Sequence, residues 1–258
     1  MTLATASWGT GTSLALLHGF TGEGGAFDHL HDPLGSYFRA MAPDLPGHGK
    51  SSPATGWDDA LEELRVTLPE KFFLAGYSMG ARLALAFTLR WPERVRALLL
   101  ESGSPGIANP EERARRRAED EQLAESVLRG GVPAFVAKWE DHPTLAGLRD
   151  LSPSLLAAVR ERRLRQSAEG LASALRHLGS GAQPPLWDEL PLLRAPVLLV
   201  AGERDAKFGA IARDMAAAIS GSRVVLVPSS GHSPHLEAPE RYAATLAAFF
   251  TQHGGHRR

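Results

Sequence analysis

The 258-residue sequence predicts an α/β chain: a mostly parallel sheet flanked by helices on both faces, with a helical cap inserted between two strands. Two observations carry that expectation. Short apolar runs alternate with helical patterns up to about residue 106 and again from about residue 191, and strand–helix alternation builds parallel strands covered by helices. Between those stretches the pattern is helical and Arg-rich with no strand signal, so residues 107–190 read as the cap and residues 1–106 and 191–258 as the core. The cap leaves the sheet after a strand's carboxyl end, the edge where open α/β sheets place their ligand sites.

The elements follow in order. Residues 14–17 form a short strand ending in His18-Gly19, and residues 37–42 a second, closed by Pro43-Asp44 and the turn-forming Pro46-Gly47. Residues 71–75 form a third, running into Gly76, after which Met79–Arg90 reads as a helix stopped by Pro92. Residues 96–101 carry the Ala-Leu-Leu-Leu run of a strand buried on both faces. In the insertion, Asn109 as cap, Pro110 at the first helical position and Glu112 three after the cap start a helix that should run to Gly130-Gly131. Ser152-Pro153 starts another, and Gly179 stops the helical pattern. Strands resume at residues 196–201 and 223–227, with helices at about 208–219 and 239–250 and a frayed end at 253–258.

Composition narrows the class. At 43% hydrophobic and 22% charged the chain has material for a real core, and a net charge of −1 offers no electrostatic excess for nucleic acid or an anionic membrane. No cysteine is present, which excludes a disulfide framework, a thiolate zinc site and a cysteine nucleophile. No apolar run approaches the ~18 residues of a membrane span. The first Arg or Lys is Arg39, so no secretory leader is indicated and a cytoplasmic protein is expected.

Several tempting signals fail on inspection. Gly22 and Gly24 begin a dinucleotide fingerprint that breaks at Phe27, and Gly49-Lys50-Ser51 ends a phosphate loop whose upstream glycine is Asp44. His232, His235 and Glu237 imitate a metal cluster, but no H-E-x-x-H is present and Pro234 stands between the histidines, so no metal is expected. The Arg-rich cap lacks interleaved aromatics and is balanced by acids, so nucleic-acid binding is not expected.

Gly76-Tyr77-Ser78-Met79-Gly80 matches G-x-S-x-G. Chance alone could supply the pentad, but here it sits between a strand and a helix, the context in which a sharp turn exposes a nucleophilic serine. A serine hydroxyl needs a base, and the base an orienting carboxylate. Asp205, in Gly202-Glu203-Arg204-Asp205, and His232, in Gly231-His232-Ser233-Pro234, follow the two later strands and complete the order Ser, acid, His. Asp205 could instead be a helix N-cap, with Glu203 the rival acid. The backbone N–H groups of Phe20, after the first strand, and of Met79 are the expected oxyanion donors, while His18 is read as structural.

Arg82 lies one helical turn after Ser78 on a face continued by Leu85, Ala86 and Leu89. A charge on that stripe needs an anionic partner, either a core Asp or Glu or a substrate carboxylate. In the cap, Arg115 points away from the apolar face, whereas Arg113, Arg116 and Arg117 fall on or near it and periodicity does not choose among them. Arg160, Arg162, Arg163 and Arg165 form a second cluster, of which one or two are expected to face the cleft.

Leu17-His18-Gly19-Phe20-Thr21-Gly22, the elbow through Arg82, Glu101-Ser102-Gly103-Ser104-Pro105-Gly106, the Arg-rich segment ending at Asp120, and Gly202-Glu203-Arg204-Asp205-Ala206-Lys207-Phe208 together resemble the 2-succinyl-6-hydroxy-2,4-cyclohexadiene-1-carboxylate synthase family, over nearly the whole chain. Its members are α/β-hydrolase-fold enzymes of menaquinone biosynthesis. The resemblance implies a lyase that removes a proton from a small, carboxylate-bearing substrate and eliminates pyruvate, with no metal or organic cofactor. It also implies that Arg82, Arg116 and Arg165 bind substrate together with Trp139 and Tyr77. The chain departs from the family at Ala81 and Phe27 and in the segment after Trp139. A carboxylesterase or carbon–carbon bond hydrolase using the same triad is the alternative, and a non-catalytic binding member of the fold a more distant one.

Overall fold

The computed structural model describes residues 2–255. Thr5–Trp8 (β1), Thr12–Leu17 (β2), Phe38–Pro43 (β3), Phe72–Tyr77 (β4), Val95–Glu101 (β5), Val197–Gly202 (β6) and Arg223–Val227 (β7) make one sheet in the order β1-β3-β2-β4-β5-β6-β7. β1 pairs antiparallel with β3, and every other pairing is parallel. The expected strands are all present, with ends moved by a residue or two. β1 escaped the sequence reading because it is an edge strand of alternating exposure with no apolar run.

Residues alternate strictly between the two faces of the parallel strands. Ala15, Leu17, Leu74, Leu98, Leu100 and Leu199 bury against Trp57–Thr67 (α2), Met79–Arg90 (α3) and Ala206–Ala218 (α7). Leu14, Leu16, Phe73, Ala75, Leu99 and Val200 bury on the other side, against His31–Leu34 (α1) and Pro239–Gln252 (α9). Burial on both faces is why these strands are continuous apolar runs rather than alternating ones. Helix α2, passed over in the sequence, buries Trp57, Ala60, Leu61 and Leu64 at helical spacing.

Between β5 and β6 the chain forms no strand and runs through Pro110–Glu140 (α4), Pro153–Leu164 (α5) and Ala168–Leu178 (α6). Asn109 caps α4 by accepting from the N–H groups of Glu111 and Glu112, Ser152 caps α5, and Gly179 ends α6. The expected stop at Gly130-Gly131 is a kink: Gly131 adopts φ 74°, and a second helical arm continues to Glu140. Ala124, Val127, Val132, Phe135, Leu171 and Leu175 give this region a small core of its own. Pro234–Glu237 forms the short α8 before α9. Of the segment read as frayed, residues 253–255 fold back onto the end of α9, with Gly255 donating to the Phe250 carbonyl at 2.9 Å, and residues 256–258 lie outside those described.

The turn from β4 into α3 places the chain against itself. A methyl on Gly80 would overlap the Leu17 carbonyl, and one on Gly76 would overlap the Gly80 carbonyl. Ser78 between them takes φ 51°, ψ −108°. The Gly80→Ala substitution is therefore expected to cost about 3 kcal/mol or more, since the opposing atoms are backbone and cannot rotate away; urea unfolding followed by circular dichroism measures it.

Candidate active site

The strained turn lifts the Ser78 side chain out of the sheet's carboxyl edge, while its N–H donates to the Glu101 carbonyl at 2.8 Å on the neighbouring strand. The loops after β6 and β7 bring the other two groups to it. His232 Nδ1 lies 2.8 Å from Asp205 Oδ2, and His232 Nε2 lies 3.2 Å from Ser78 Oγ. With Nδ1–H donating to the carboxylate, Nε2 is free to accept the serine proton. Asp205 makes two contacts at once: Oδ1 accepts from Phe208 N–H at 3.1 Å as the cap of α7, and Oδ2 lies against the histidine ring. Glu203 accepts from Ser229 N–H instead. Burial acts to raise the Asp205 carboxyl, but the His232 hydrogen bond, the Phe208 N–H and Lys207 outweigh it and hold it below the usual range.

Phe20 and Met79 line the same cavity, and Met79 opens α3, where N–H groups have no intrahelical acceptor. The loop carrying Phe20 is held by two neutral histidines. Leu45 N–H donates to His18 Nε2 at 2.9 Å, so Nδ1 carries the proton and donates to the Gly19 carbonyl at 2.8 Å. Thr21 N–H donates to His48 Nε2 at 3.2 Å, leaving Nδ1–H for the Pro46 carbonyl. Burial drives the pKa of His18 from 6.5 to about 4, and burial and then His18 take His48 to about 3. Tyr77 packs its ring on Gly19 and shares a 2.6 Å hydrogen bond with Ser233 Oγ, and burial raises its phenol well above the ordinary value.

These groups open into a cavity of about 570 Å³ between the sheet edge and the inserted helices. Arg82 lines it and is 8% exposed. Its direct contacts are with neutral groups: Nη1 donates to Gln183 Oε1 at 3.3 Å, and the guanidinium lies 6.0 Å from the centre of the Trp57 ring. Among the described residues no carboxylate forms an ion pair with it, so the internal salt bridge that the sequence left open is not made. Burial, then the nearby Arg116, draw its pKa down to about 10, against the pull of Asp120, and the group stays charged at neutral pH. Arg116 lines the cavity too, with Nε donating to Asp120 Oδ1 at 2.8 Å; Asp120 also accepts from Gly181 N–H. Trp139 forms an aromatic wall with Phe20 and Phe135, at ring distances of 5.3 and 5.6 Å.

Arg165 is a correction. It does not line the cavity; it is half exposed, and its guanidinium pairs with Glu23 at 2.5 Å and Glu161 at 3.1 Å. The last turn of α5 presents Arg162 and Arg163 to the cavity instead, because Val159 and Arg163 share the buried face one turn apart. That i, i+4 spacing was readable in the sequence. Gln183, Glu101 and the pairing of His235 with Glu101 (2.7 Å) were not, since each depends on a contact across more than a hundred residues.

A model of the alpha/beta hydrolase family matches residues 14–245. A Bacillus subtilis (strain 168) protein, named a candidate 2-succinyl-6-hydroxy-2,4-cyclohexadiene-1-carboxylate synthase, is 38% identical over 93% of this chain and 90% of its own length. The chain belongs to the alpha/beta hydrolase family. Within that family it belongs with the synthases. The 2-succinyl-6-hydroxy-2,4-cyclohexadiene-1-carboxylate synthase of Escherichia coli (strain ATCC 8739) is 33% identical over 91% of this chain and 92% of its own. Among solved structures, MenH from S. aureus superposes with a TM-score of 0.91 at 30% identity, covering 98% of this chain and 99% of that one. A thermophilic esterase from Thermogutta terrifontis, solved with malate bound, gives 0.84 at 29% identity, covering 97% and 93%.

The two buried histidines make this alpha/beta hydrolase acid-sensitive. Below pH 6.5 the unfolded chain takes up protons that folded His18 refuses until about pH 4 and folded His48 until about pH 3, so stability falls as pH drops through that window. The loss is on the order of 3 kcal/mol from His18 alone. Urea unfolding at pH 7 and pH 4 measures the total, and the His48→Gln variant is expected to show a smaller difference between the two.

Proposed function

We infer that this protein eliminates pyruvate from 2-succinyl-5-enolpyruvyl-6-hydroxy-3-cyclohexene-1-carboxylate to give 2-succinyl-6-hydroxy-2,4-cyclohexadiene-1-carboxylate, a step of menaquinone biosynthesis, in the cytoplasm. The observation that carries the reading is the charged, buried Arg82, without a carboxylate of its own, in the same cavity as a hydrogen-bonded Ser78–His232–Asp205 chain. An uncompensated buried cation is costly, and an acidic ligand offsets that cost. The synthase names carried by the relatives, and the malate held by the esterase structure, point to the same ligand chemistry.

The bond changes follow from the two compounds. Moving from a 3-ene with a 5-enolpyruvyl group to a 2,4-diene requires loss of the proton at ring C2, beside the succinyl ketone. The C2–H electrons form the 2,3 double bond, the original alkene shifts to 4,5, and the C5–O bond breaks. Ser78 Oγ, its own proton passing to His232 Nε2, is the base for C2, and Asp205 stabilises the imidazolium. Charge that develops on the ketone oxygen meets the N–H groups of Phe20 and Met79. The enolpyruvyl group leaves as the enolate and takes up a proton to become pyruvate, which restores the proton balance. Arg82 and Arg116 hold substrate carboxylates, Tyr77 and Trp139 shape the cavity around the ring, and residues 107–190 serve as the cap over the core of 1–106 and 191–258. Arg162 and Arg163 take the place that the family pattern suggests for Arg165.

Replacing Arg82 by Ala is expected to lower kcat/KM for the acidic substrate by about 2–3 kcal/mol, roughly 30- to 150-fold. Wild-type turnover by that variant would dismiss the carboxylate clamp. Ser78→Ala is expected to abolish pyruvate release, followed by a coupled pyruvate assay. Rapid hydrolysis of neutral p-nitrophenyl esters through an acyl-Ser78, without pyruvate release from the acid, would instead make the protein an esterase.

A further inference from the structure

His232 lies in a loop between β7 and α8, and one side chain grips the backbone on both sides of it. Glu237 Oε2 accepts from Gly231 N–H at 2.6 Å, and Glu237 Oε1 accepts from Ser233 N–H at 2.9 Å. The two oxygens of a single carboxylate thus bracket the histidine, using charge-assisted bonds that are stronger than neutral ones. Outside that grip the loop is tied by Arg204 N–H to the Ser230 carbonyl and by Tyr77 to Ser233 Oγ. His235 reaches Glu101 with both its N–H and its ring, which anchors the helix that carries Glu237.

The same carboxylate is touched from above. Residues Pro143–Asp150 of the inserted region form a 3-10 segment whose Leu145 and Leu148 pack with Leu236. Within it, Gly147 passes so close that a methyl on its α-carbon would overlap the Glu237 carboxylate. Gly147 is not among the glycines in the left-handed region. Its lack of a side chain therefore meets a need for space rather than for backbone conformation. A flexible carboxylate could ordinarily swing aside, but this one is held by two hydrogen bonds to the histidine loop, so displacing it releases that loop.

We propose that Glu237 is a positioning residue for His232, and that the segment Pro143–Asp150 acts on the histidine through it. This rests on the reading of Ser78 and His232 as the reacting pair. Proton transfer depends steeply on the orientation of the imidazole, and a misplacement of about 1 Å from a residue off the substrate can cost about 100-fold in rate. Glu237 touches neither serine nor substrate in this arrangement; its effect runs through the Gly231 and Ser233 N–H groups.

Glu237→Gln, Glu237→Ala, Gly147→Ala and the combination of the last two test it, in the full chain, with steady-state pyruvate release and the rate of Ser78 phosphonylation by a fluorophosphonate. Each single substitution is expected to lower kcat by about 10- to 100-fold with KM held within about twofold, and to slow phosphonylation in parallel. In the double variant the methyl occupies space that the carboxylate has left, so Gly147→Ala is expected to add less than about twofold to Glu237→Ala. Wild-type kcat in Glu237→Gln or Gly147→Ala, penalties that multiply in the double variant, or losses confined to KM would overturn the proposal. Should Glu237→Ala fail to fold, Glu237→Gln and Gly147→Ala decide it alone. A wild-type protein that is phosphonylated but releases no pyruvate counts against the synthase reading and leaves the phosphonylation comparison intact.

Discussion

Strand β4 must become helix α3 within a single residue, and the backbone of Ser78 is driven to positive φ to do it. Most residues avoid that region because of the clash of their own Cβ, and it persists here because the surroundings over-determine it. Gly76 and Gly80 give up their side chains so that the helix can press against the Leu17 and His18 carbonyls, and the Ser78 N–H is taken by Glu101 on the adjacent strand. The reward of that strain is geometric. The hydroxyl stands clear of the sheet edge, with a helix N-terminus beneath it and the two later strand ends beside it, and every other feature of the site is arranged around that point.

Two opposite electrostatic strategies meet in the cavity. The floor beside the serine is made rigid by neutral groups: His18 and His48 are buried so thoroughly that they stay uncharged, and each uses one nitrogen as acceptor and the other as donor to fasten a loop. A charged imidazole could not do this, because it has no acceptor nitrogen. The walls do the reverse. Arg82 keeps its charge next to an amide and an indole ring, and Arg116 is steadied by Asp120 without being fully enclosed. A fixed neutral frame around a cation without an ion-pair partner is the arrangement in which an anionic group would find its site already ordered, at a lower cost on binding. A thermophilic esterase shares the fold, so the fold by itself does not set the chemistry of this cavity.

The inserted helices do more than roof the cavity. Their two arms, joined at Gly131, each contribute to its lining, one Arg116 and the other Trp139, and the 3-10 segment beyond them rests on α8, next to the histidine loop. One insertion therefore both lines the cavity and packs beside the loop that carries His232.

Much of this was legible along the chain, and the parts that were not have a common cause. Runs buried on both faces, the cap at Asn109, the turn at Ser78 and the order Ser78, Asp205, His232 are local patterns, in which a few neighbouring residues answer a backbone or burial requirement by themselves. β1 was missed because an edge strand with alternating exposure carries no apolar run. The family pattern points to Arg165 as a cleft residue, whereas helical rotation turns Arg162 and Arg163 inward and leaves Arg165 to Glu23 and Glu161. Gln183 beside Arg82, Glu101 beneath His235 and Gly147 over Glu237 are meetings of residues separated by roughly 90 to 135 positions, with no signal in either partner's surroundings. The amino-acid order alone determined the architecture and the serine, acid and histidine that meet at the sheet edge, because those depend on periodicity and on turns a few residues long. Only the packed molecule decided which charges go unpaired and which side chains hold the histidine, because those depend on distances across the fold that no local spacing encodes.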